Sequence, residues 1–337
     1  MLTVIGFVVF LLLPAGVAAW AVFSVVVERR KDRIPILLYH RLVSKERAER
    51  GEIRDDEMIW VCYATHFAEQ MEYLRRNGFT TLDLDDYTAI RRGDMAMPEK
   101  PVIVTFDDGY LSNYTMAFPA LKANEQKAVI FVALEPDDYT RKKVVGIDGF
   151  VNAAQMKEMA ENGVSMQSHT VTHCILADQD DEQLRFELEE SKKRLAEITG
   201  RAVRHIAIPR SGYSRRVKQF VKRAGYETAC CNNKGASHGL SDLLALPRIV
   251  IERDLTIREF ARALSPAGAT EMRLVGGLKR IPERTLGARF GAAVRRMLYH
   301  GRLKPLFKFR YLKRAAFGMA VVYLVGSVWF TLHLVSF

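Results

Sequence analysis

Two adjacent carboxylates, Asp107 and Asp108, stand directly before Gly109 and follow a short apolar run. The run, Pro101–Val104, is rich in β-branched residues and therefore predicts a buried strand. A carboxylate at the end of a buried strand is costly unless a partner stabilises its charge, and a metal ion or a proton-transfer role would provide this stabilisation. The alternative interpretation is an ordinary Asp-Asp-Gly turn on the surface.

Two histidines, His169 and His173, follow a second predicted strand and are separated by four positions. On a helical turn, this spacing places both imidazoles on one face, where they can bind one metal ion. One aspartate and two histidines leave positions open for water and substrate, and the set suits zinc or another divalent transition metal. The other aspartate would then take a proton from the attacking water. A chance His-x-x-x-His pair is the alternative.

Metal-assisted attack on a carbonyl group produces an oxyanion, which backbone N–H groups can stabilise. The turn Pro209–Gly212 follows another predicted strand and is the candidate for this role. A plain connection between a strand and a helix is the alternative. His40 also directly follows a predicted strand.

Strand-like and helix-like segments alternate between residues 34 and 264, which predicts parallel strands joined by crossover helices. The predicted strands are Ile34–Tyr39, Phe79–Leu84, Val102–Phe106, Ala128–Ala133, Val164–Gln167, His205–Ile208, Thr228–Cys231 and Leu246–Ile251. The predicted helices are Ala64–Asn77, Asp85–Arg92, Tyr114–Asn124, Ala153–Asn162, Asp181–Thr199, Arg215–Ala224 and Ile257–Leu264. An open doubly wound sheet and a barrel both fit this order. Polar residues at the carboxyl ends of several different strands favour the barrel.

These motifs resemble the polysaccharide deacetylase family, the NodB-homology domain of carbohydrate esterase family four. Its first motif is similar to Thr105–Gly109, and its second is similar to His169–His173. The stretches Ile36–His40 and Leu246–Ile249 also resemble this family, and the likeness extends over about residues 34–264. The resemblance implies a distorted (β/α)7 barrel of the NodB-homology type.

The resemblance also implies a reaction and a role for each motif residue. Asp107 would be the general base, and Asp108, His169 and His173 would bind a divalent metal, most simply zinc. The enzyme would remove an N-acetyl or similar acyl group from an amino sugar of a polysaccharide or a lipid-linked glycan. The alternative is a catalytically degenerate member that binds glycan or serves as a scaffold in a polysaccharide assembly complex.

The third motif departs from the family pattern, because it reads Ile208–Gly212 with Arg210 in place of an aromatic residue. The resemblance implies that the backbone N–H of Arg210 is the oxyanion donor. The side chain of Arg210 is a hypothetical partner for an acidic or phosphorylated substrate. No arginine precedes the proline to orient the base. The family's fourth and fifth motifs have no clear counterpart, so His40 and His238 are the candidates for the general acid. In these departures the chain resembles the branch of the family that acts on exported poly-N-acetylglucosamine.

The positive charge of the chain is concentrated near its C-terminal end. Residues 265–314 contain 13 Lys/Arg and 2 Asp/Glu. Their net charge of +11 equals the net charge of the whole chain. The rest is neutral, which argues against a nucleic-acid-binding surface on the main domain. Aromatic and aliphatic residues interrupt the basic ones, so we expect amphipathic helices on anionic lipid, with a solvated linker as the alternative.

Two apolar runs, Met1–Val27 and Ala315–Phe337, are each long enough to cross a bilayer. A cleaved leader is the alternative for the first run. The basic flanks Arg29–Arg33 and Lys304–Arg314 face the domain, and the positive-inside rule places them in the cytoplasm. We therefore expect two spans in a bacterial inner membrane, with the periplasmic or extracellular side as the alternative for the domain. The expected domains are an anchor (1–27), a catalytic domain (34–264), a basic juxtamembrane segment (265–314) and a second span (315–337).

The four cysteines do not form a recognisable framework. Cys62, Cys174, Cys230 and Cys231 include no Cys-x-x-Cys pair. The sequence therefore predicts buried free thiols rather than disulfides or a thiolate zinc site.

Overall fold

Seven parallel strands form a closed barrel in the computed structural model, which describes residues 20–53, 60–142, 148–253 and 255–274. The strands are β1 (Ile36–Tyr39), β2 (Arg41–Val43), β3 (Val61–Tyr63), β4 (Thr80–Leu82), β5 (Pro101–Phe106), β6 (Ala128–Val132), β7 (Val164–Ser168), β8 (His205–Ala207), β9 (Thr228–Lys234) and β10 (Leu246–Val250). The order around the barrel is β1-β10-β9-β8-β7-β6-β5, and pairing of β1 with β5 closes it. Strand β4 pairs with the first half of β5, while β2 and β3 form a separate two-stranded sheet. The predicted barrel is thus confirmed.

Helices connect the strands and cover the outside of the barrel. They are α1 (Lys45–Glu49), α2 (Ala64–Arg76), α3 (Leu84–Arg92), α4 (Phe118–Ala123), α5 (Asp138–Lys142), α6 (Ala153–Glu161), α7 (Asp181–Arg185), α8 (Ser191–Thr199), α9 (Arg215–Arg223) and α10 (Ile257–Leu264). A π-helical turn, Asn113–Ala117, leads into α4, and another, Phe186–Glu190, joins α7 to α8. Residues 20–28 and 266–274 are also helical.

Local sequence signals explain where several of these helices begin and end. Asp83 and Asp86 form a capping box at the start of α3, in which each side chain accepts a hydrogen bond from the other residue's backbone N–H. The helix ends at Gly93, which has a φ of 86° and adopts the left-handed conformation that glycine accepts at least cost. Equivalent capping boxes begin α6 and α10.

Period-two alternation divides the strand residues between two apolar layers. Val104 and Phe106 face the helices, whereas Ile103 belongs to the cluster inside the barrel. Leu84 and Tyr87 of α3 are fully buried in this inner cluster, close to the amino ends of the strands. Because side chains alternate along β5, Thr105 and Asp107 point into the barrel near its carboxyl end.

Both ends of the described domain are joined beside the amino ends of the strands. The carboxylate of Glu28 is fully buried and accepts hydrogen bonds from Arg33 (3.0 Å), Arg273 (2.8 Å) and the backbone of Ala236 (3.1 Å). Arg33 also donates to the carbonyl oxygen of Leu264. The polypeptide therefore enters and leaves the described barrel at the end opposite the carboxyl ends of its strands.

None of the described helices has the length and hydropathy needed to cross a membrane. The predicted second span, residues 315–337, lies outside the described part of the chain, as do residues 1–19 of the predicted first span. Most of the predicted basic segment, residues 275–314, also lies outside it. The two spans and the amphipathic segment therefore stay predictions.

Candidate metal centre

The turn after β5 places two carboxylates at the mouth of the barrel. Asp107 continues the inward alternation of β5, and its backbone N–H donates to the carbonyl oxygen of Tyr39 on β1. Asp108 has a φ of 74°, which turns its side chain away from the direction of the strand. Gly109 follows with a φ of 76°, and a Cβ atom there would lie 3.2 Å from a methyl group of Val132. The strained turn therefore presents both carboxylates to the same space.

Both predicted histidine ligands reach Asp108. Its Oδ1 atom lies 3.4 Å from Nε2 of His169 and 3.1 Å from Nε2 of His173. One ligand atom from each of the three residues lies within 4.8 Å of the other two. The three side chains come from two different strand ends, as the sequence predicts. Residues 169–173 are not helical, however, so the expectation of a helical turn was wrong.

A tight loop rather than a helix brings the two imidazoles together. Thr170 and His173 both have positive φ, 71° and 63°, and the Thr170 hydroxyl accepts a hydrogen bond from the backbone of His173. The buried carboxylate of Glu187, on the π-helical turn between α7 and α8, accepts hydrogen bonds from the backbone N–H groups of Val171 and Thr172 at 2.8 and 2.9 Å. These contacts fix the loop that carries His173, the second candidate histidine ligand, and nothing in the local sequence predicts the contribution of Glu187.

Hydrogen bonds at the far side of each ring determine which nitrogen faces Asp108. Nδ1 of His169 lies 2.8 Å from the carbonyl oxygen of Ala207, which can only accept, so Nδ1 carries the proton. Nδ1 of His173 lies 3.0 Å from the hydroxyl of Thr140, which donates its own proton to Asp137. In both rings Nε2 is consequently the nitrogen that faces Asp108.

This donor set fits a divalent transition metal. Two imidazole nitrogens and one carboxylate oxygen converge, and each imidazole is oriented by an acceptor on its other nitrogen, as in protein zinc sites. The three residues leave coordination positions for other groups. Asp108, His169 and His173 are the residues that would hold the ion.

An arginine that the sequence analysis left without a role, Arg248, orients the second carboxylate. Its guanidinium donates two parallel hydrogen bonds of 2.7 Å to the two oxygens of Asp107, and the arginine side chain is fully buried. No arginine precedes Pro209, as the sequence shows, but β10 supplies an orienting arginine from across the barrel. One sequence signal could have identified Arg248: it is a charged residue at an inward position of the otherwise apolar run Leu246–Val250.

Electrostatics keep both carboxylates ionised. Burial raises the pKa of Asp107, but the positive charges of Arg248 and His169 outweigh this effect, so its pKa lies below the ordinary value. Burial likewise raises the pKa of Asp108, and the two histidines bring it well below the ordinary value. Asp107 lies 3.9 Å from Nε2 of His169, close enough to act beside a bound ion.

His40 lies at the same mouth, directly after β1. Its ring packs against that of Trp60, with 4.7 Å between the centroids and an angle of 48° between the ring planes. Burial lowers the pKa of His40, and the charges of Asp107 and Asp108 counteract this only in part. The second candidate acid, His238, lies elsewhere: the charged groups acting on it include Arg273, which belongs to the opposite end of the barrel.

The turn after β8 carries the predicted oxyanion donor. Arg210 has a φ of 50°, and the N–H of Gly212 closes the turn onto the carbonyl oxygen of Pro209 at 2.9 Å. The side chain of Arg210 donates to both oxygens of Asp137 at 2.8 Å. The hypothesis that this side chain pairs with an acidic substrate is therefore not favoured, because an acidic residue of the chain already binds it.

Backbone strain is concentrated around this centre. In the described part of the chain, five residues other than glycine have positive φ, and four of them belong to the site: Asp108, Thr170, His173 and Arg210. Strained conformations of this kind persist only where the surrounding contacts enforce them, and they cluster at functional sites.

A closed seven-stranded barrel with an Asp-His-His set and a second aspartate at its carboxyl end defines a class of hydrolases. A family model described as "Polysaccharide deacetylase" matches residues 94–229. YxkH, a polysaccharide deacetylase-type protein of Bacillus subtilis (strain 168), is 30% identical over 219 residues, which cover 64% of this chain and 71% of YxkH. The chain belongs to the polysaccharide deacetylase family and is by that membership a carbohydrate deacetylase.

Other relatives agree with this assignment. The poly-beta-1,6-N-acetyl-D-glucosamine N-deacetylase of Escherichia coli (strain K12) is 34% identical over 110 residues, which cover 30% of this chain but only 16% of that protein. The structure of the Streptococcus pyogenes deacetylase PplD in complex with acetate aligns with a TM-score of 0.62 and 25% identity, over 70% of this chain and 100% of that one. A polysaccharide deacetylase from Bacillus cereus aligns with a TM-score of 0.57 and 27% identity, over 69% of each chain.

Proposed function

We propose that this chain is a metal-dependent N-deacetylase that hydrolyses an N-acetyl group of an amino sugar in a polysaccharide or a lipid-linked glycan. The observation that carries the proposal is the convergence of Asp108, His169 and His173 next to an ionised Asp107. A catalytically degenerate scaffold would have no need of this complete set, nor of the buried arginine that orients its base.

Asp107 is the proposed general base. Each of its oxygens accepts one hydrogen bond from Arg248 and keeps a further lone pair with which to accept a proton. When bound by Asp108 and the two histidines, a divalent ion such as zinc supplies Lewis-acid polarisation and lowers the pKa of water. Asp107 lies close enough to this set to remove a proton from the attacking water.

The remaining steps concern the oxyanion and the leaving amine. As the water oxygen attacks the acyl carbon, the backbone N–H of Arg210 donates to the oxygen that develops negative charge. The C–N bond then breaks, the amine nitrogen takes up a proton, and a carboxylic acid and a free amino sugar are released. His40, which lies at the mouth beside both carboxylates, is the proposed general acid: it passes to the amine the proton that Asp107 took from the water, so both side chains return to their starting states.

The substrate class follows from the relatives and from the chemistry of the site. The Escherichia coli relative acts, by its name, on poly-beta-1,6-N-acetyl-D-glucosamine, and we propose a polymer of acetylated amino sugars for this chain as well. We further propose that the chain is anchored in the bacterial inner membrane by its apolar runs and contacts anionic lipid through its basic segment.

Acetate release from N-acetylglucosamine oligosaccharides by the purified full chain tests this proposal. We expect the parent and Arg216→Gln, which alters an ion pair on the outside of the barrel, to release acetate at equal rates. Asp107→Asn and His169→Ala should each lose at least about 100-fold in kcat/KM, as expected for a lost base or metal ligand. Unchanged rates in both variants would refute the assigned roles, and a parent that binds glycan but releases no acetate would favour the scaffold.

A further inference from the structure

We propose that Asp137, Thr140 and Arg210 form a positioning bridge that orients His173 for metal binding and joins it to the turn Pro209–Gly212. This inference rests on the proposed function, since it concerns residues behind the metal ligand. None of the three bridge residues is a ligand, and the bridge acts on the metal only through His173.

The direction of each hydrogen bond in the bridge follows from the chemistry of its groups. The ionised carboxylate of Asp137 can only accept, so the hydroxyl of Thr140 donates to it at 2.7 Å. The guanidinium of Arg210 can only donate, and it reaches the same hydroxyl at 2.9 Å. With its proton directed to Asp137, the hydroxyl of Thr140 must accept from Nδ1 of His173 at 3.0 Å. Nε2 of His173 is thereby the ring nitrogen available to the metal.

The backbone holds the bridge against the ligand loop. The carboxylate of Asp137 also accepts from the backbone N–H of Thr140 at 2.9 Å, at the start of α5. The backbone N–H of Asp137 donates to the carbonyl oxygen of Thr172, one residue before the ligand, at 2.9 Å. The position of Thr140 relative to His173 is therefore set by main-chain contacts as well as by side chains.

The other end of the bridge is equally constrained. Arg210 adopts a φ of 50°, and its guanidinium donates to both oxygens of Asp137 at 2.8 Å. Two residues later, a Cβ atom on Gly212 would lie 2.9 Å from the side chain of Ile175 and 3.0 Å from the backbone of Leu176. The turn Pro209–Gly212 therefore packs on the segment that follows His173. The bridge makes a second connection between this turn and His173.

Loss of the bridge should weaken metal binding without removing a ligand. The Thr140→Val variant keeps the shape of the side chain but offers no acceptor to Nδ1 of His173, so neither the tautomer nor the ring orientation is fixed. Loss of such an outer partner typically lowers metal affinity by about 10- to 100-fold. Asp137→Asn should give a loss of the same order, because it weakens the contacts of Thr140 and Arg210 together.

Titration of the chelator-treated full chain with Co²⁺, followed by visible absorption, measures this effect directly. We expect the dissociation constant to rise about 10- to 100-fold in Thr140→Val and Asp137→Asn, with an altered cobalt spectrum. Thr140→Ser retains the hydroxyl and should bind like the parent, as should Arg216→Gln, whose ion pair with Asp181 lies outside the site. Thermal unfolding of the metal-free variants checks that they are folded.

Two results would overturn the inference, and they are distinguishable. Dissociation constants within about twofold of the parent in both Thr140→Val and Asp137→Asn would show that the bridge does not position His173. A parent that binds no cobalt would refute the proposed function and, with it, the inference. Non-additive losses in the double variant Thr140→Val/Arg210→Gln, relative to the two single variants, would support a bridge that acts as one unit.

Discussion

Replacement of Arg248 by methionine probes the pair that orients the proposed base. The variant leaves Asp107 buried, 3% exposed, without the two 2.7 Å hydrogen bonds that stabilise its charge. Breaking a buried ion pair by removing one partner costs about 3–5 kcal/mol, a large part of the 5–15 kcal/mol typical of a domain. Urea unfolding of the chelator-treated protein at pH 7 should show a decrease of this size in the free energy of unfolding. Arg216→Met, which breaks a pair with exposed Asp181, should cost less than about 1 kcal/mol.

The pH dependence of the same variant tests the physical cause. In the parent, the pKa of Asp107 is lowered, so the stability it contributes is present above its unfolded pKa and is lost as the pH falls through the folded value. Without Arg248, burial prevails and the pKa of Asp107 rises. The stability deficit of Arg248→Met should therefore shrink as the pH falls from 7 to 5, because a neutral carboxyl group is less costly to bury. A loss below about 1 kcal/mol, or a deficit that grows at lower pH, would refute this reasoning.

Two further predictions concern other carboxylates. The Glu187→Gln variant should lower the free energy of unfolding by about 2–4 kcal/mol, because the buried carboxylate that accepts from Val171 and Thr172 becomes an amide. Urea unfolding measures this loss, and an unchanged unfolding midpoint would contradict the prediction. The hydrogen bond from His205 lowers the pKa of Asp85 to about 2, so its contribution to stability is present above about pH 4 and is lost as the pH falls toward 2. Because the Asp85 side chain is 44% exposed, we reduce this contribution to about 1 kcal/mol. In urea unfolding, Asp85→Asn should be less stable than the parent by this amount at about pH 6, and the difference should shrink at about pH 3 and be largely gone at about pH 2. A pH-independent difference would be inconsistent with this account.

The sequence predicts the barrel well because its signals are local. Apolar β-branched runs, helix caps and glycine stops act over a few residues, so the predicted strands and helices are confirmed with small differences at their ends. The largest difference is in β9, which continues to Lys234. Strands β2 and β3 and the short helices α1 and α5 were missed, because each contains at most five residues and carries no clear period.

The convergence of Asp108, His169 and His173 was predictable for a related reason. Residues that directly follow parallel strands must meet at one end of a barrel, whatever the remaining details of the fold. The partners of those residues were not predictable in this way. Arg248 reaches Asp107 across the barrel, and Thr140 reaches His173 from a connection 33 residues earlier in the chain. Such contacts depend on tertiary geometry, which no local pattern contains.

The helical arrangement expected for the two histidines was wrong for a physical reason. A spacing of four residues fits a helical turn, but positive φ at Thr170 and His173 produces a different loop with the same outcome. The buried carboxylate of Glu187, on a π-helical turn, stabilises that loop. The sequence thus indicated which side chains meet, while the conformation that brings them together required the structure.

The central claim is that Asp108, His169 and His173 bind one divalent ion. Anomalous diffraction from crystals of the full chain grown with zinc tests it most directly. We predict a single strong peak within about 2.0–2.2 Å of Oδ1 of Asp108 and of Nε2 of both histidines, and no peak there in His169→Ala. An anomalous map without a peak at these three atoms, from fully folded protein at saturating zinc, would contradict the account.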